Sequence, residues 1–398
     1  MALLLAQVIF GLSSYAVNFF LARSLGPVDY GSYGIVISML MLLNIIFLSG
    51  LHAAVSRFVS AAPENAEAIK KAALKLGLLL GIGIAFLYFL SAPLIALLLN
   101  DLSLTPLIQL SALAIPGFAL YPVFIGFFNG LRKYRKQALV SVSYSIAKAV
   151  LVISLVLFGF SLFGAIAGFA LAAFAALFFG LASSFPKRSE SFSSIALFKF
   201  ALPVTVSRVL FEFSASAGLF SVKSLLLASE LPGFYNAAFQ LSRLPLFFSY
   251  AFVSALFPII SGSFSNEPRE KTRRKLLSAL KYFLAAILLI AFLLYIFSEQ
   301  VIVFFFSSSY LPAVLPLSIL ALSGIFTALF FFLTAVLFAI GKPSRAMLLS
   351  LAVFIASIAL NLALVPVHGM AGAAFAIFGA FLLGCALSAL VVWRSLRG

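Results

Sequence analysis

The chain has 398 residues, 64% of them hydrophobic and 9% charged, with a mean hydropathy of +1.22 and a formal net charge of +16. Soluble domains carry about 25% charged residues, so this composition excludes a globular protein with a polar surface. One cysteine, Cys385, and two distant histidines, His52 and His368, exclude an intramolecular disulfide and leave no metal-ligating cluster and no implied cofactor.

A helix needs about 20 apolar residues to span the hydrocarbon. Segments of that kind fall at 2–22, 33–59, 72–98, 106–130, 137–158, 163–183, 198–220, 233–262, 276–297, 311–340, 346–366 and 371–392, about twelve spans in all. The first lacks the basic start of a cleavable signal peptide and leads through a short polar stretch into the next span. The connections are short and contain no glycine-rich phosphate loop. Neither ATP coupling within the chain nor an extramembrane catalytic domain is therefore expected.

The basic residues cluster at every second connection. Lys70, Lys71 and Lys75 follow span two, and Arg132, Lys133, Arg135 and Lys136 follow span four. Lys187, Arg188 and Lys199 follow span six. Arg269, Lys271, Arg273, Arg274, Lys275 and Lys281 follow span eight. Lys342 and Arg345 follow span ten, and Arg394 and Arg397 follow span twelve. The positive-inside rule places both termini and these connections in the cytoplasm of a multi-pass cell-membrane protein. The net charge is then topological, and no nucleic-acid partner is implied.

The two halves resemble each other. Tyr30-Gly31-Ser32-Tyr33-Gly34 opens span two, and Gly233-Phe234-Tyr235-Asn236-Ala237 opens span eight. Gly130-Leu131-Arg132-Lys133 closes span four, and Gly341-Lys342-Pro343 closes span ten. Gly164-Ala165-Ile166-Ala167 opens span six, and Gly372-Ala373-Ala374-Phe375 opens span twelve. Six spans per half give both halves the same orientation, a parallel repeat. The expected fold is an all-α membrane protein with two six-helix lobes around a central cavity, an N-terminal lobe at 1–190 and a C-terminal lobe at 191–398.

Six cations lie outside that topological pattern. Arg57 and Lys223 lie near span ends, where they can snorkel. Arg23 ends span one, while Lys148, Arg208 and Arg243 fall well inside theirs. A cation at mid-membrane costs about 2.5–3.5 kcal/mol even on insertion scales, which calls for a wet cavity or a partner. Polar stripes accompany them: Thr205, Arg208, Glu212 and Ser216 on span seven, Ser141, Tyr144, Ser145 and Lys148 on span five, and Asn236, Gln240 and Arg243 on span eight. Gln7, Ser14 and Asn18 on span one, with Asn44 and His52 on span two, complete the set.

Glu212 is the one acid placed deep in the membrane, one turn beyond Arg208, where the two can pair. Four cations against one acid favour an anion, with phosphate or pyrophosphate matching Arg forks and a Lys point charge. The candidate substrate contacts are Arg23, Lys148, Arg208, Arg243, Gln240 and Asn44, with Glu212 as the ion-coupling candidate. The competing reading of each cation is a tie between helices through carbonyls. His52 and Asn361 read as polar packing residues. The pairs Gly77/Gly81 and Gly126/Gly130 read as close helix contacts. Pro116, Pro122, Pro203 and Pro245 permit bends near the charged positions.

The run Arg23-Ser24-Leu25-Gly26-Pro27-Val28-Asp29-Tyr30-Gly31-Ser32-Tyr33 resembles the start of the polysaccharide transporter, or O-antigen flippase, family. That family belongs to the multidrug/oligosaccharidyl-lipid/polysaccharide (MOP) exporter superfamily. The opening of span eight and the run Gly369-Met370-Ala371-Gly372-Ala373-Ala374 are similar to its pattern as well. The resemblance implies alternating access and a lipid-linked oligosaccharide substrate handled among membrane lipids, alongside other glycan-assembly proteins. Related lipid II flippases have a cationic cavity. Two departures are the start directly in span one, without a short basic leader, and the lack of two further C-terminal helices found in some relatives.

Two other functions stay open. A cation-coupled drug exporter of the same superfamily needs membrane carboxylates, and only Glu212 qualifies. A polytopic glycosyltransferase or polymerase needs acids on a substantial external loop, whereas Asp29, Asp101, Glu230 and Glu299 sit on short ones. A non-enzymatic transporter is the expected class.

Overall fold

The computed structural model describes residues 2–184, 192–226 and 228–397. Lys187 and Arg188, counted above among the basic residues, lie outside them. The described residues form helices throughout, the arrangement that satisfies every backbone polar group inside an apolar segment without water.

The first compact unit is Met1–Val209. It contains α1 (Ala2–Ile45), a π-helical turn at Ile46–Leu51, α2 (His52–Ala61), α3 (Ala66–Leu98), α4 (Thr105–Ala112) and α5 (Ala114–Gly130). α6 (Tyr134–Leu155), α7 (Ser161–Ala182) and the first half of α8 (Ser194–Leu225) complete it. The second unit, Leu210–Gly398, takes the rest of α8 and then α9 (Leu231–Ser242), α10 (Leu244–Asn266) and α11 (Arg269–Ile296). α12 (Ser298–Phe305), α13 (Val314–Ala339) and α14 (Pro343–Arg397) follow. The expected lobe division after residue 190 precedes α8, whereas the compact units meet inside that helix.

Each unit is built on one helix buried along most of its length. In the first unit that helix is α5, with Phe118, Val123, Phe124 and Phe128 almost wholly covered. α2, α3 and α7 pack against it. Small residues let the backbones approach: a Cβ on Gly77 would stand 2.8 Å from the Ala119 carbonyl oxygen, and one on Gly130 would stand 2.7 Å from the Val59 Cβ. Both glycine pairs named from the sequence are thus helix contacts. In the second unit the buried helix is α13. Phe330 and Phe332 on it stack against Phe211 and Phe283, at centroid distances of 6.2 Å and 4.7 Å.

Nine helical stretches among the described residues are long and apolar enough to cross a membrane. Three of them, Leu5–Ala61, Tyr134–Ala182 and Pro343–Ser395, are far longer than one crossing needs. Each contains a glycine with left-handed φ: Gly26 at 75°, Gly159 at 89° and Gly369 at 58°. An L side chain rarely adopts that conformation, so the chain turns at glycine there. Each break falls between two spans expected from the sequence.

Candidate functional site

The charged residues named from the sequence fall into a group in each unit. In the first unit the centre is Lys148, on α6. Its side chain is buried, with 4% relative exposure. The Nζ donates to Ser14 Oγ of α1 at 2.6 Å. The ammonium also lies 4.7 Å from the Phe10 ring centre and 5.7 Å from that of Tyr144. No carboxylate pairs with it among the described residues. An ammonium has three donors, and here a hydroxyl takes one while aromatic faces contribute cation–π attraction.

An aromatic chain extends from Lys148. Tyr144 stacks on Tyr121 at 5.4 Å, and Asn44 stands beside the Tyr121 hydroxyl. Asn44 is buried, and its Oδ1 accepts no hydrogen bond. Lys148 and Asn44, about 100 residues apart in sequence, thus belong to one network. His52 Nε2, beyond the π-helical turn, is likewise buried without a partner.

Arg23 and Arg208 are placed differently. Arg23 is exposed, three residues before the Gly26 break. Arg208 is half-buried on α8. Each has interactions of its own, and neither is a partner of Lys148.

In the second unit, Arg243 is the turn residue between α9 and α10, and Pro245 follows at the start of α10. The single span expected at 233–262 is therefore interrupted at its cation. Arg243 Nη2 donates to Glu212 Oε1 of α8 in an ion pair. The guanidinium lies 5.3 Å from the Phe239 ring centre, with Tyr250 alongside. Glu212 and Arg243 stand 31 positions apart, a pairing the sequence did not point to. Gln240 Nε2 donates to Asn236 Oδ1 at 3.4 Å. Arg243 lines a small pocket with the hydroxyl residues Ser242, Ser323 and Thr327.

Sequence reasoning placed Tyr144 on the Lys148 stripe but missed Phe10, Tyr121 and Phe239. Phe10 and Ser14, Tyr144 and Lys148, and Phe239 and Arg243 are each four residues apart on one helix face, and that spacing was the available signal. Tyr121 offered none, because it meets Tyr144 only through packing of α5 on α6. No cluster of His, Cys, Asp and Glu suited to a metal occurs among the described residues.

This geometry can be compared with known proteins. The family model described as "Polysaccharide biosynthesis protein" matches residues 1–264. No curated protein sequence matches the chain. Among solved structures, the chain is similar to a multidrug resistance MATE family transporter of the MOP superfamily in an inward-facing conformation. There the TM-score is 0.81 and the identity 17%, over 98% of this chain and 95% of that one. It is similar to the lipid II flippase MurJ in an inward closed conformation, at 0.80 and 16%, over 98% and 86%. It is also similar to a MOP superfamily transporter from Pyrococcus furiosus, described as having a binding pocket of reverse polarity, at 0.72 and 16%, over 99% and 96%. At these identities the likeness establishes the fold. The chain is a multi-pass helical membrane protein with the fold of MOP transporters, and it belongs to the polysaccharide biosynthesis protein family.

Proposed function

We propose that the chain is a flippase that moves a polyprenyl-diphosphate-linked oligosaccharide across the cell membrane by alternating access. The observation that carries this reading is Lys148, a buried cation with no acidic partner among the described residues, inside a family tied to polysaccharide biosynthesis. A pyrophosphate supplies the missing anion and occupies donors that Ser14 leaves over. Arg23, Arg208, Arg243, Gln240 and Asn44 are the further contacts proposed for the headgroup. The similarity to MurJ, described as a lipid II flippase, supports a lipid-linked substrate. The reverse pocket polarity reported for the Pyrococcus furiosus transporter supports variation of pocket charge on this fold.

The finer architecture belongs to the same proposal: twelve spans in two parallel six-helix lobes around a central cavity, with cytoplasmic termini. The three left-handed glycine breaks support it, because splitting those stretches turns nine candidate helices into twelve. Glu212 remains the proposed ion-coupling residue, and a proton reaching it would have to compete with Arg243.

The similarity to MATE transporters keeps a drug exporter as the second reading. Such an exporter needs a carboxylate able to take up a cation, and Glu212 is already held by Arg243. Purified protein in proteoliposomes separates the two. Translocation of a polyprenyl-diphosphate oligosaccharide, read by accessibility of its sugar to an external lectin, is expected, without accumulation of a cationic dye. Dye transport with no movement of the lipid-linked sugar would reverse the assignment.

A further inference from the structure

One end of the second unit gathers cations that its acids do not neutralise. The first two turns of α11 carry Arg269, Lys271, Arg273, Arg274 and Lys275. Lys342 precedes α14, Arg345 lies in its first turn, and Trp393 and Arg394 lie near its end. Two contacts hold these three helix ends together: the Arg273 guanidinium stands 4.5 Å over the Trp393 ring, and Arg345 Nη1 donates to Ser395 Oγ at 3.2 Å.

The acids here are already engaged. Glu267 lies 2.7 Å from Lys275 and 3.4 Å from Lys271. Glu270 lies 3.5 Å from Arg273 and 3.3 Å from Arg274. Arg269, Lys342 and Arg345 have no acidic partner among the described residues. Burial, and then the charges of Arg345 and Arg269, hold the Lys342 ammonium below its usual pKa, so both guanidiniums act on it. Arg273 Nε is buried without an acceptor.

Depth narrows the choice of anion. α11 and α14 belong to the candidate membrane spans Arg269–Ile296 and Pro343–Ser395, so the cluster stands at a span end. Tryptophan is enriched at that level, and basic pockets between helices there take lipid headgroups. Below the cluster, Leu277 on α11 and Leu348 on α14 are exposed apolar surface for acyl chains.

We propose that Arg269, Lys342 and Arg345 bind the phosphate of an anionic phospholipid headgroup, with Trp393 and Arg273 beside it. Two forked guanidiniums and one ammonium match the tetrahedral oxygens of a phosphodiester. This site involves neither Lys148 nor Arg243 and stands whether or not the transport reading holds.

Trp393 is the only tryptophan in the chain, so its fluorescence reports this site alone. The protein is reconstituted in phosphatidylcholine vesicles containing a small fraction of either brominated phosphatidylglycerol or brominated phosphatidylcholine, since bromine quenches indole on contact. Stronger quenching by the anionic lipid is expected. Arg269→Gln lowers that preference about fivefold, as does each further cation removed in the Lys342→Gln/Arg345→Gln variant. Arg269→Lys retains it. Lys281→Gln, an exposed cation further along α11, leaves it unchanged. Equal quenching by the two lipids overturns the proposal. So does an equal loss in Lys281→Gln, which would mean diffuse surface charge. Loss of the preference on adding inorganic phosphate at constant ionic strength would assign the cluster to a free anion and overturn the lipid assignment.

Discussion

Lys148 in the first unit and Arg243 in the second invite comparison. Each is a cation within an apolar stretch, and each has an aromatic ring one helical turn before it. They differ in electrostatic closure. Arg243 is paired with Glu212, whereas Lys148 has one hydroxyl and two rings. The first arrangement ties α8 to the α9–α10 turn. The second leaves charge to spare for an outside anion. The same residue class is thus charge-compensated in one unit and carries no acid partner among the described residues in the other.

The sharpest way to break this comparison is to remove the acid. Glu212→Gln leaves Arg243 uncompensated and is expected to cost about 3–5 kcal/mol. Thermal unfolding of the detergent-solubilised protein would show it, and Glu212→Gln combined with Arg243→Gln should recover part of the loss. A Glu212→Gln variant as stable as the parent would remove the structural role of the pair.

Packing gives the next contrast, between one helix of each unit. A Cβ on Gly168 of α7 would meet the Leu151 and Val152 backbone at 2.7–2.8 Å. A Cβ on Gly379 of α14 would meet only the tip of Leu360, at 3.1 Å. Gly168→Ala should cost about 1–3 kcal/mol, since backbone does not yield. Gly379→Ala should be near neutral, as the better helix propensity of alanine offsets a small side-chain shift. Parallel melts of the two variants decide this.

A smaller effect is expected at Lys148 itself. A buried cation with no acid contributes little to the fold, so Lys148→Leu should leave stability unchanged or raise it by about 1 kcal/mol. A large loss in the same unfolding assay would make Lys148 a structural tie.

The smallest effect concerns the α10–α11 connection. Hydrogen bonds from Lys275 and then Ser263 hold the Glu267 carboxyl at about 2, below its ordinary 4.5. Its stabilising contribution is therefore complete above pH 4.5 and fades as pH falls through 2. Protease sensitivity of this connection should rise over that window, and Glu267→Gln should abolish the pH dependence.

Much of the fold could be read from the sequence because bilayer thickness fixes segment length and glycine marks the breaks. Gly26, Gly159 and Gly369 each lie between two apolar runs and turn the chain there. The site was less legible. Tyr144 and Lys148 are linked by helix periodicity alone, but Lys148 meets Ser14 across 134 residues and Glu212 meets Arg243 across 31. Helical spacing relates Glu212 to Arg208 and gives no hint of Arg243. The Arg243 pairing depends on the interruption between α9 and α10, which has no single-residue signature beyond Pro245. Asn44 reaches the Lys148 network only through Tyr121 and Tyr144, so packing and not sequence pattern determines its place.

On the proposed reading Lys148 is a ligand-binding cation rather than a helix tie. The most direct test of that reading is the translocation rate of a polyprenyl-diphosphate oligosaccharide in proteoliposomes carrying the parent, Lys148→Ala or Lys148→Arg. Losing one charge-assisted hydrogen bond predicts a fall of about tenfold or more for Lys148→Ala. Most of the rate should persist in Lys148→Arg, and both variants should melt like the parent. Full translocation by Lys148→Ala would contradict the account.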